Sequence, residues 1–251
     1  MTEIPQPRTR RSALVAAMCA LVVAGTGLVG CGSDDPDAGT NGVGKLPVEQ
    51  IQSRTRAAAK SAPAVRLAGT VVSNGGTFKL DMRLKGDGGT GSVTSKNGAF
   101  GLLRVGEHLF LKADAEFWNR QAGGKGGGGS EAAANKLDGK YVKVPTSDPA
   151  YKRFSGFTDK DLLLDGLLSL HGALTTDGHH EQNGVRTIRI TGDKGSGGTL
   201  DVSLEGQPYP LRLVRAGNAG TLTLSEWGKD FTLALPPQEE TVDYGRQLPS
   251  S

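Results

Sequence analysis

The stretch Thr77–Lys85, TFKLDMRLK, decides the fold class. Its apolar residues alternate with charged ones, so that Phe78, Leu80, Met82 and Leu84 share one parity. Successive side chains of a β-strand point to opposite faces, so this pattern predicts a strand with one buried face and one solvated face. Strands of parallel sheets are usually continuous apolar runs, so the alternation favours an antiparallel sheet with one face towards water.

The same alternation recurs along the chain, and glycine-rich segments separate its occurrences. The further runs are VRLAGTVV (65–72), HLFLK (108–112), RTIRIT (186–191), TLDVSLE (199–205), PLRLV (210–214), TLTLSEW (221–227) and DFTLALP (230–236). Linkers such as NGG (74–76), KGDGGTG (85–91) and GQP (206–208) have the composition of tight turns between neighbouring strands. We therefore predict a meandering sheet.

Two segments depart from this pattern and predict helices. VEQIQSRTRAAAKS (48–61) is followed by Pro63, and TDKDLLLDGLLSLH (158–171) begins with Thr158 and Asp161 in the spacing of a capping box. A leucine-rich helix must bury its apolar face, and the buried side of the sheet is available for it. The predicted fold is thus α+β, with helices packed across the concave face of a curved antiparallel sheet, an arrangement that can enclose a cavity.

Several segments with turn and packing signatures resemble a known family. They are FWNRQAGG with KLDGKYVKVP (117–145), the leucine-rich helix, TLDVSLEGQPYPLRLV (199–214) and TLTLSEWGKDFTLALPP (221–237). Through them, residues 48–248 resemble the LolA-like superfamily, in particular the LppX and LprG branch of actinobacterial envelope lipoproteins. The resemblance implies an open half-barrel with helices across its mouth, whose apolar cavity holds acyl chains in several relatives. It supplies no universal ligand-binding residue.

The N-terminus predicts export and lipidation. Arg8, Arg10 and Arg11 precede an uncharged run that ends in LVGC (28–31), as in a bacterial export signal. Leu-x-Gly-Cys resembles the lipobox of bacterial lipoproteins, which implies acylation of Cys31 and cleavage before it, and two or more acyl chains hold a protein stably at a membrane. The predicted organisation is a signal peptide over 1–30, a flexible tether over 31–46 and one domain over 47–251. General secretion and the twin-arginine route both remain open.

Charge and cysteine content limit the possible functions. The formal net charge is +3, and the predicted signal contributes three arginines and one glutamate to it. The mature chain is therefore almost neutral and has no basic field suited to nucleic acid. Cys19 and Cys31 are the two cysteines, so the predicted domain has neither a disulfide nor a thiol nucleophile.

Motifs for catalysis are weak, and we predict no enzyme, no cofactor and no metal. GDGGTG (86–91) matches a dinucleotide fingerprint, but the strand-like SVTS follows it instead of a helix. GGKGGGGS (123–130) lacks the ending of a phosphate-binding loop and predicts a mobile glycine-rich loop instead. Asp177, His179, His180 and Glu181 fall on a polar hairpin arm, where adjacent side chains point to opposite faces.

These patterns together predict a lipid-anchored extracytoplasmic protein that binds a lipid or another long apolar ligand in its concave core. Envelope lipid transport is one use of such binding. The predicted lining residues, chosen by periodicity, are Leu80, Met82, Leu84, Leu109, Leu111, Leu163 and Leu167. The alternative is an interaction or sensor module with a filled core, which acts through a protein partner at the membrane surface. Neither reading identifies the ligand.

Overall fold

One sheet frames the protein in the computed structural model, which describes residues 35–73, 75–121 and 128–243. Its strands are β1 Ala64–Ser73, β2 Gly76–Lys85, β3 Gly88–Ser95, β4 Gly98–Val105, β5 His108–Ala113, β6 Tyr141–Val144, β7 Leu174–Gln182, β8 Val185–Gly192, β9 Thr199–Ser203, β10 Pro210–Val214, β11 Gly220–Ser225 and β12 Thr241–Val242. Across the sheet they follow the order β12-β6-β5-β4-β3-β2-β1-β11-β10-β9-β8-β7. Only the short β12–β6 pairing is parallel among the described strands. The predicted α+β class with a curved, open, antiparallel sheet is confirmed.

The described residues form helices α1 Val48–Ser61, α2 Ala115–Gln121, α3 Gly128–Leu137, α4 Pro149–Ser155 and α5 Lys160–Leu167. Helix α1 has the predicted bounds. Helix α5 is shorter than predicted, and its N-cap is Asp159, whose carboxylate accepts the Leu162 amide at 2.9 Å. The predicted cap, Thr158, instead binds Arg104, whose Nε donates to its hydroxyl at 3.1 Å. Within the described ranges, no helix has the length and apolar character of a membrane span.

The concave face of the sheet carries the core. Residues that lie opposite each other in an antiparallel pair share a face, and the register pairs Leu67 with Met82 and Leu102 with Leu111. These side chains join Leu164 in one buried cluster, in which the helices cover the sheet. The charged members of β2 lie on the opposite, convex face.

The segment that precedes α1 is docked on the domain, which corrects the predicted tether over 31–46. The Asn41 side chain donates to the carbonyls of Ser203 and Gly206 at 3.0 and 3.1 Å. Val43 is 2% exposed within a short 3₁₀ helix. Residues 37–46 are therefore part of the domain, because side-chain and backbone contacts fix a segment whose composition is typical of a linker.

The run DFTLALP (230–236) was predicted as a strand, and this prediction is wrong. Both edges of β11 already pair, with β1 and β10, so the chain that follows β11 finds no free edge beside it. It runs unpaired across the convex face, where Lys85 Nζ donates to the Phe231 carbonyl at 3.0 Å. It then reaches β6 as β12.

The predicted glycine-rich mobile loop over 123–130 falls largely outside the described residues. Its last three positions, 128–130, form the first turn of α3 instead.

Candidate functional site

A pocket of about 340 Å³ lies on the concave side, between the ends of β1–β4 and helices α2 and α4. Its apolar wall consists of Phe78, Val93, Phe100, Phe117, Phe154 and Phe157. Its polar lining residues are Ser73, Ser95, Asn97, Gln121 and Arg153. Five of the seven phenylalanines of the chain therefore meet at this one place.

Strand register explains how the sheet contributes to the wall. Val93 lies opposite Leu80 on one side and Phe100 on the other, so these three side chains share the concave face. Phe78 precedes Leu80 by two positions and therefore points the same way. The alternation that builds the core thus continues into the pocket.

Phe100 links the sheet to both helices of the pocket. Its ring centroid lies 5.3 Å from that of Phe117 on α2 and 5.4 Å from that of Phe154 on α4. The second contact is edge-to-face, a favourable arrangement for aromatic rings. The buried floor is therefore a connected aromatic cluster.

Local interactions hold α2 in place. Asp114 accepts the Phe117 amide at 2.7 Å, as an N-cap does. Arg120 Nε donates to the Asn97 carbonyl at 3.0 Å and so ties α2 to the β3–β4 turn. Gly98 in that turn has φ +114°, a backbone conformation that favours glycine over residues with a side chain.

Helix α4 is fixed in a similar manner. Asp148 caps it by accepting the Ala150 amide at 2.7 Å, and Pro149 occupies its first turn. The Tyr151 hydroxyl donates to the Glu107 carbonyl at 2.8 Å, which joins α4 to the β4–β5 turn. Phe154 and Phe157 are thereby held over the sheet.

The polar lining carries one cationic side chain and no carboxylate. Arg153 is exposed, and its guanidinium carbon lies 4.7 Å from the centroid of the Phe154 ring. The site therefore combines an aromatic floor with hydroxyl, amide and guanidinium groups, which suits an apolar body with a polar end.

The predicted lining residues lie on the predicted face but not in the wall of this pocket. Leu80, Met82, Leu84, Leu109 and Leu111 are at most 2% exposed, Leu167 is buried at 8%, and Leu163 is partly buried against the same cluster. They belong to the core cluster or pack against it, whereas five phenylalanines and Val93 form the apolar wall of the pocket.

Sequence reasoning missed these phenylalanines, although a signal for them was available. Phe78 belongs to the alternating stretch that decides the fold, and Phe154 and Phe157 flank the short segment SG. Neither pattern indicates by itself that space remains between the rings.

The polar arm around His179 does not form a cluster suited to a metal. His179 Nε2 lies 3.1 Å from Asp37 Oδ1, whereas His180 Nε2 lies 2.8 Å from the Asp177 carbonyl. In the part of the chain that the structure describes, no group of three or more histidine, cysteine or acidic residues is arranged to hold a metal ion.

Comparison with known proteins gives structural neighbours only. No protein-family model and no curated protein sequence match the chain. The crystal structure of LprF from Mycobacterium bovis is similar with a TM-score of 0.50 and 18% identity, over 75% of this chain and 96% of that one. The lipoprotein LppX from Mycobacterium tuberculosis is similar with a TM-score of 0.46 and 14% identity, over 75% of this chain and 100% of that one. The similarity to LprF shows that this chain shares its fold, as the resemblance noted in the sequence predicts.

Proposed function

We propose that the protein is a lipid-anchored, extracytoplasmic binding protein, without enzymatic activity, which holds a long apolar ligand in the phenylalanine pocket. The observation that carries this proposal is the space left between five phenylalanines on a face that is otherwise tightly packed. Protein interiors normally fill such space at the density of an organic crystal. An unfilled aromatic pocket is therefore more consistent with ligand binding than with a purely structural role of the phenylalanines.

The physical gain from filling the pocket is substantial. An apolar chain that leaves water gains about 25 cal/mol for each Å² of surface that it buries. An engineered apolar cavity of roughly 150 Å³ already binds benzene, and this pocket, at about 340 Å³, is larger. Only the surplus over the entropic cost of association appears as affinity.

The docked N-terminal segment supports a position close to the membrane. From Cys31 to Asp37 the chain can span at most about 20 Å when fully extended. With acyl chains on Cys31, the domain would therefore stay beside the bilayer, where envelope lipids are available as ligands. Transport of such lipids is one use of the binding that we propose.

Native mass spectrometry tests the proposal. The full-length protein with Cys31→Ser, exported and purified from the envelope of a related bacterium, lacks the acyl anchor, so an additional mass of lipid size is non-covalently bound, and variants of the pocket show whether the pocket holds it. We expect such a mass, and we expect Ser73→Trp to remove it, because this side chain lines the pocket. Val72→Trp is the matched control, since the neighbouring side chain points to the opposite face of β1.

Two results would contradict the proposal. One is a protein that carries no additional mass and acquires none when it is incubated with envelope lipids. The other is a bound mass that Ser73→Trp and Val72→Trp affect equally. Either result would favour the alternative, a module that acts through a protein partner at the membrane surface.

A further inference from the structure

The cation at the pocket has no acidic partner. Among the described residues, no carboxylate lies within 4 Å of Arg153, although most other arginines of the domain form ion pairs. Arg120, on the neighbouring helix α2, pairs with Glu116 on the same helix. The positive charge of Arg153 therefore remains available to a ligand.

The environment of Arg153 suits an anionic group. The ring of Phe154 lies beneath its guanidinium at 4.7 Å, and such a contact orients the planar head without neutralising it. The other polar lining residues are Ser73, Ser95, Asn97 and Gln121, all of which can donate hydrogen bonds. With no carboxylate in the lining, no side chain repels an anion.

The size of the pocket limits the apolar part of the ligand. Its volume of about 340 Å³ is roughly twice that of a cavity that accommodates one benzene ring, and it lies near the lower end of the range for small-molecule sites. Such a volume accommodates one alkyl chain.

We propose that the ligand of the phenylalanine pocket is a single-chain amphiphile with an anionic head, and that Arg153 binds this head. The proposal rests on the proposed function, because it requires the pocket to bind an apolar chain. It adds the charge of the head, the number of chains and the residue that recognises the head. A fatty acid and a lysophospholipid share this chemistry.

Titration with two probes of equal chain length separates the head from the tail. Laurate and dodecanol carry the same alkyl chain, but only laurate is anionic at neutral pH. Binding to the full-length Cys31→Ser protein is measured by calorimetry at low ionic strength, where screening is weak. The variant is Arg153→Gln, and Lys152→Gln is the matched control, because Lys152 is exposed on the same helix outside the lining of the pocket.

We expect Arg153→Gln to weaken laurate binding about three- to tenfold, the range of one charge-assisted contact at a partly exposed site. Dodecanol binding should change by less than about twofold, as should the binding of both probes to Lys152→Gln. Arg153→Lys keeps the charge and should retain part of the laurate affinity, which distinguishes recognition of the head from a packing role.

The possible failures are distinguishable. If both probes bind and Arg153→Gln leaves laurate unaffected, or weakens both probes equally, the assignment of Arg153 is overturned and the proposed function stands. If neither laurate, dodecanol nor lysophosphatidic acid binds, the single-chain anionic ligand is overturned, and native mass spectrometry decides separately whether the pocket holds another apolar ligand. If lysophosphatidic acid responds to Arg153→Gln while laurate does not bind, the head is a phosphate and the proposal holds.

Discussion

At the scale of single residues, burial distinguishes two ion pairs of similar geometry on the convex face. Arg189 donates to Asp201 at 2.5 and 3.1 Å, and Asp201 is 1% exposed. Arg66 donates to Asp81 at 2.9 and 2.7 Å, but the Asp81 side chain is 46% exposed. Removal of one partner from a buried pair leaves an uncompensated charge, whereas exposed pairs contribute little.

We therefore expect Asp201→Asn to lower the free energy of unfolding by about 2–3 kcal/mol, because Arg189 and Arg212 lose their buried partner and Arg189 keeps only the longer contact with Asp177. Asp81→Asn is the matched control and should have a much smaller effect. Urea denaturation of the two variants at neutral pH measures the difference. Equal losses in both variants would show that burial does not govern these pairs.

The contribution of Asp81 to the free energy of unfolding also depends on pH. Hydrogen bonds from Arg66 hold the pKa of Asp81 below its ordinary value. The contribution of Asp81 to stability is therefore present at neutral pH and is lost as the pH falls through this lowered pKa. The small difference between wild type and Asp81→Asn should accordingly disappear in acid.

At the scale of elements, alternation located the strands well but did not determine which edges were free. β2 begins one residue before the predicted stretch and has the predicted face, because Leu80 and Met82 alternate with charges over a full strand. The run at 230–236 alternates equally well, yet it remains outside the sheet because β11 already has two neighbours. Whether a segment pairs with the sheet depends on the order of all its strands, and a local sequence pattern carries no information on that order.

The ordering of the docked segment before α1 likewise could not be predicted from its local sequence. Its small and polar composition is typical of a linker, and the interaction that orders it joins Asn41 to carbonyl groups more than 160 positions away. No local signal reveals such a partner. The prediction of a flexible tether is therefore wrong for residues 37–46, with Asp37 and Arg186 among the docking contacts.

We expect Asn41→Ala to release this segment. The change removes hydrogen bonds to Ser203 and Gly206 and the one that Asn41 accepts from the Val43 amide, at a cost of about 1–2 kcal/mol. Limited proteolysis should cut residues 36–46 faster than in the wild type, while Gln50→Ala, an exposed amide on α1, leaves the rate unchanged. An unaltered rate in Asn41→Ala would mean that other contacts hold the segment.

At the scale of the whole molecule, the sequence predicted the concave apolar face but not how much of it is filled. Leu80 and Met82 of the core and Phe78 of the pocket share one face of β2, and the same alternation selects all three. Whether side chains meet or leave space depends on where α2 and α4 lie over the sheet. Contacts such as Arg120 with Asn97 and Tyr151 with Glu107 determine that placement.

Binding of an apolar ligand in the phenylalanine pocket can be tested directly through the NMR signals of the seven phenylalanines of the chain. Five line the pocket, whereas Phe110 and Phe231 lie outside it and serve as internal controls. In protein with ¹³C-labelled phenylalanine rings, titration with dodecanol should shift the NMR signals of Phe78, Phe100, Phe117, Phe154 and Phe157 and leave those of the two controls unchanged. Saturating dodecanol that shifts none of the five, or that shifts only Phe110 and Phe231, would contradict the account.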